Sequence, residues 1–137
     1  MMAADRAEHV EKVIAPALAE GRWVVCDRYT GSTLAYQGFG RGLELEDLRR
    51  ITGFASSGVE PDLQILLDLP VDSAQARTGR VADRIEKLGE EFFERVRTGY
   101  LSLARSEPER WVVIDAEPDP DTVGARVIEV VEERLGK

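Results

Sequence analysis

The chain has 137 residues, 43% of them apolar, enough to fill the core of one domain and too many for a disordered or collagen-like protein. Its 26 acidic residues outnumber 18 basic ones for a net charge of -8, so a face that grips a nucleic-acid polymer is not expected, and an anionic ligand should be small and locally bound. Cys26 and His9 are the only residues of their kinds, which leaves no intrachain disulfide and no Cys-based zinc set; a soluble, cytoplasmic protein without a membrane span is the expectation.

From Asp5 to Glu20, Val10, Val13, Ile14, Ala17 and Leu18 recur at helical spacing, with Pro16 as a bend and Gly21 as a C-terminal stop. Trp23 to Cys26 is a valine-rich run that ends at Asp27, the pattern of a buried parallel strand opening into a functional loop, Asp27 to Gly42. A helix is predicted around Leu45, Leu48, Ile51 and Phe54, then a buried strand over Asp62 to Leu69, with Asp68 at its end. Val71 to Arg77 begins another helix, which runs into an Arg- and Gly-dense segment, expected to be a lid over about 77–90. Phe93, Val96, Tyr100, Leu103 and Ala104 mark a helix face, Trp111 to Ile114 a third strand, and Val123 to Leu135 a last helix. Strands alternating with helices imply one α/β domain over 1–137, a three-layer parallel sheet with helices on both faces.

The segment Asp27 to Gly42 gathers two arginines, two tyrosines, an amide, several hydroxyls and four glycines after a predicted strand. In parallel sheets ligands collect beyond the carboxyl ends of the strands, which puts Asp27 and Arg28 at such a rim. Arg28 can clamp a phosphate through two donors, Gln37 offers a donor and an acceptor to a nucleobase edge, and Tyr29 or Tyr36 can pack a ring or sugar. A phosphorylated, ring-bearing ligand is the expectation.

The run DRYTGSTLAYQG, Asp27 to Gly38, resembles the signature of the thymidylate kinase family, DRY followed by a Ser and then AYQG. Upstream, AADRAEHVEKVIAPAL is similar to the family helix that approaches the nucleotide base; downstream, PDLQILLDLP and DRIE are similar to its next strand and lid. The resemblance covers Met2 to about Leu135 and implies a P-loop nucleoside-monophosphate kinase fold that transfers the γ-phosphoryl group of ATP to dTMP with Mg2+. By position it makes Arg28 a ligand of the dTMP phosphate, Arg6 a donor to the thymine edge, and Thr33 and Gln37 readers of the base. Ser32 and Tyr36 support that pocket, Tyr100 approaches the deoxyribose, and Asp27 faces the magnesium and phosphate region. In the lid, Arg77, Arg80 and Arg84 are the catalytic candidates that neutralise charge on the transferring group. The family also implies a homodimer through the helix matching Asp5 to Leu18.

Two departures stand beside the resemblance. Met2 takes the place of a phenylalanine that stacks on thymine in the family. P-loop kinases also need a glycine-rich turn ending in Lys and Ser or Thr, whose N–H groups cradle the phosphates. No GxxxxGK followed by Ser or Thr occurs in these residues. The family places that motif and its first strands ahead of them, so the fold is expected to be incomplete at its N-terminus, with ATP and Mg2+ assured only for the complete enzyme. Three readings result: the greater part of a dTMP kinase, a non-catalytic dTMP-binding module, or a self-associating fragment.

Overall fold

A computed structural model describes residues 2–78 and 84–136, with side chains left out for Met2, Thr78 and 84–88. The chain forms two compact units, Met1–Glu60 and Pro61–Lys137.

The first unit is helical. Residues 2–19 run as α1 (Met2–His9), a π-helical segment Val10–Ile14 and α2 (Ala15–Ala19). Pro16 explains the π segment: it has no N–H to give the ladder and its ring crowds the preceding turn, and the Ala15 N–H bonds the Val10 carbonyl, five residues back. Val10, Ile14 and Ala17 are buried, whereas Val13 and Leu18, expected on the same face, are exposed. The end is a Schellman closure: Gly21 N–H bonds Leu18 O, Arg22 N–H bonds Ala17 O, and Gly21 takes φ 74°, which glycine adopts without cost.

Two expectations are corrected here. Trp23 to Cys26 is not a buried strand: Trp23 is 67% and Val25 95% exposed. A strand exists only with a partner for its N–H and C=O groups, and no strand among the described residues of this unit supplies one. Asp27 to Gly42 is not an open loop either. It folds into α3 (Thr30–Thr33) and a π-helical segment Leu34–Gly40, the latter closed by Arg41 N–H on Tyr36 O. Packing fixes this helix against its glycine-rich composition. Ala35 is wholly buried, and Gly38 lies so near the Leu45 and Leu48 side chains that a Cβ there would collide with the Leu45 methyl. Those leucines belong to α4 (Leu45–Ala55), the helix predicted there.

The second unit carries the sheet. Strands β1 (Gln64–Asp68) and β2 (Trp111–Asp115) pair in parallel from Gln64↔Trp111 to Asp68↔Asp115. Helices α5 (Val71–Thr78) and α6 (Arg84–Ser106) make the crossover, α6 packs on both strands, and α7 (Pro120–Leu135) packs on β2. Trp111, Ile114, Val96, Leu103 and Val130 fill the core. The sheet among the described residues therefore has two strands, where three were expected. The middle of the predicted lid, including Arg80, lies outside the described residues, as does the Arg84 side chain.

Candidate functional site

The first unit brings Arg6, Arg28, Tyr29 and Tyr36 together in two cation–aromatic stacks. Arg28 follows the exposed Asp27 and has φ 65°, a left-handed backbone that non-glycine residues rarely adopt. The Cys26 thiol donates to the Arg28 carbonyl at 3.2 Å, closing this turn on itself. The turn throws the Arg28 side chain back over the helix that follows: Nη2 donates to the Tyr36 hydroxyl at 3.2 Å, and Cζ lies 5.0 Å from the Tyr36 ring centre. Such strain persists only where the surroundings enforce it, and it concentrates at ligand clamps. The guanidinium remains exposed.

Tyr29 stands between the turn and α3. Its hydroxyl donates to the Val59 carbonyl at 2.9 Å, and the Arg6 guanidinium from α1 lies 4.7 Å from its ring centre. Burial pushes the phenol above its ordinary pKa against the smaller opposing effects of the Ser56 hydroxyl and Arg6, so Tyr29 is neutral at physiological pH. Ser32, Thr33 and Gln37 are half-buried on α3 and the π segment that follows it.

The remaining candidates belong to the second unit. Tyr100, half-buried on α6, sets its ring edge-on to Trp111 at 6.4 Å. Arg77 lies in the last turn of α5 with its guanidinium on the loop after β2, donating to the carbonyls of Glu117 at 2.7 Å and Pro118 at 3.4 Å. Ser73, one turn earlier, donates to the Glu117 carboxylate at 2.8 Å, so α5 grips that loop at two points. Sequence reasoning missed the ion pair at the carboxyl end of β1, where Arg97 of α6 holds both oxygens of Asp68 at 2.9 and 3.1 Å. Asp68 at a strand end was a visible signal; its partner, 29 residues on, was not. Among the described residues no group of three or more His, Cys, Asp or Glu side chains could hold a metal ion.

The second unit is a parallel βαβ crossover of α/β type, and the first unit sets two arginines on tyrosine rings at a strained turn. The thymidylate kinase family model matches residues 1–127, and the chain belongs to that family, which carries the P-loop nucleoside-monophosphate kinase fold. It is 53% identical over 135 residues to a thymidylate kinase of Synechococcus sp. (strain JA-2-3B'a(2-13)), covering 98% of this chain and 65% of that protein. A thymidylate kinase of Pelotomaculum thermopropionicum is 49% identical over 138 residues, with 98% of this chain and 64% of that protein covered. One from Solidesulfovibrio magneticus is 50% identical over 137 residues, with 93% of this chain and 66% of that protein covered. The chain thus spans just under two thirds of the length of these relatives.

Proposed function

We propose that these residues form the monophosphate side of a dTMP kinase, in which an oxygen of the dTMP phosphate attacks the γ-phosphorus of ATP and ADP leaves. The observation that carries the reading is Arg28: an exposed guanidinium on a strained turn, aimed by Tyr36, inside the DRYTGSTLAYQG run. A planar fork with two donors suits a phosphate that must be held while it acts as nucleophile. Arg6 supplies a donor to a thymine carbonyl, Thr33 and Gln37 read the rest of the base edge, and Ser32 supports them. Tyr100 approaching the deoxyribose, Asp27 facing the phosphates, and Arg77, Arg80 and Arg84 neutralising the transferring group are roles supported by family membership alone. The same support extends to a homodimer.

The reaction needs a P-loop to hold the ATP phosphates. The 137 residues contain no such motif, so turnover requires a phosphate-binding segment beyond them. That observation favours a second reading, a module that binds dTMP without ATP or magnesium. Calorimetric titration with dTMP, with and without MgATP, separates the two. Binding unaffected by MgATP, in this chain and in one extended upstream, supports the module; turnover in the extended protein supports the kinase. Failure of both proteins to bind dTMP sinks both readings.

A further inference from the structure

Arg6 reaches the site from α1, half-buried, with no ion-pair partner among the described residues, and a long side chain so placed needs something to hold it still. Its guanidinium lies 4.7 Å from the Tyr29 ring centre, well inside the range of a cation–π contact. Tyr29 is itself fixed at two points, by the bond from its hydroxyl to Val59 and by the left-handed turn at Arg28 that precedes it. We propose that Tyr29 is a positioning residue for Arg6, its ring the platform that orients the guanidinium.

The chemistry favours a ring over a carboxylate in this place. A carboxylate would occupy two of the five guanidinium N–H donors and neutralise the charge. An aromatic face takes the guanidinium on its flat side and leaves every in-plane donor available to a carbonyl acceptor. Tyr29 therefore restricts Arg6 without consuming what Arg6 has to offer. The inference rests on the reading of Arg6 as a donor to the pyrimidine edge, but its geometric half is independent of any ligand.

Two measurements on the full chain test it. In the free protein, the Arg6 δ-protons should be shifted upfield by the ring current of Tyr29; the shift should survive Tyr29→Phe and vanish in Tyr29→Leu. In titrations with dTMP, Arg6→Ala should weaken binding about tenfold in the native background and in Tyr29→Phe, but by less than about threefold in Tyr29→Leu. An unshifted Arg6 in the native protein, or an equal Arg6→Ala loss in all three backgrounds, overturns the proposal. Should Tyr29→Leu fail to fold, the native ring-current shift and the Tyr29→Phe titration decide the matter. Should Arg28→Ala leave dTMP binding unchanged, the substrate reading fails, whereas the ring-current result still decides whether Tyr29 holds Arg6.

Discussion

At Arg28, backbone strain and ligand chemistry meet in one residue, and two substitutions separate them. Arg28→Ala keeps a Cβ in the left-handed turn, whereas Arg28→Gly relieves it, so the glycine variant should be the more stable by about 1 kcal/mol in urea unfolding. Both should lose at least about tenfold in dTMP affinity, because each removes the two-donor phosphate contact. Equal stability of the two variants would mean that the turn holds no strain. Asp68 and Arg97 call for a different expectation. With side chains 20% and 31% exposed and a two-pronged geometry, they are sheltered enough that Arg97→Met, which leaves the carboxylate unpartnered, should cost about 1–3 kcal/mol. Asp68→Asn combined with Arg97→Met should recover part of that loss, and strict additivity would argue against a direct coupling.

Among the elements, α7 offers the clearest pH dependence. The Asp119 carboxylate caps the helix, accepting from the Thr122 N–H at 2.9 Å and the Thr122 hydroxyl at 2.8 Å, and these bonds hold its pKa below the usual carboxylate range. A depressed folded-state pKa contributes stability above the unfolded value, about 3.9, that is lost as pH falls through the folded one. Asp119→Asn should therefore melt close to the native protein at low pH and below it at neutral pH; a gap that does not change with pH would contradict the cap's charge. This helix was legible in the sequence from the apolar periodicity between Val123 and Leu135, although its start at Pro120, behind the Asp119 cap, was not read. The helix over 30–40 was not. Its glycines and polar residues favour a loop locally, and only the packing of Ala35 and Gly38 under α4 overrides them. Trp23 to Cys26 fails in the opposite direction, since an apolar run states a preference for burial but cannot provide the neighbour that buries it. The order of the other helices and both strands of the pair follow from periodicity, whereas the left-handed turn at Arg28 and the Tyr29 platform leave no mark in spacing or composition.

For the whole molecule, the telling feature is apolar side chains in solvent. Val25, Phe54 and Trp23 are 95%, 90% and 67% exposed. At concentrations of tens of micromolar, estimated from typical association strengths, this chain should sediment as more than a monomer, and Phe54→Glu should shift it toward monomer. A sharp monomer boundary for the native chain would show that these residues cause no association. No helix among the described residues is long and apolar enough to cross a membrane. The family is carried by the DRY to AYQG run and by identity across nearly the whole chain. The most direct test is calorimetric titration of the chain with dTMP, native and Arg28→Ala side by side. Saturable binding that weakens at least about tenfold in the variant is the predicted result; absence of binding to the native chain, or equal binding by the two, would contradict a dTMP site built on Arg28.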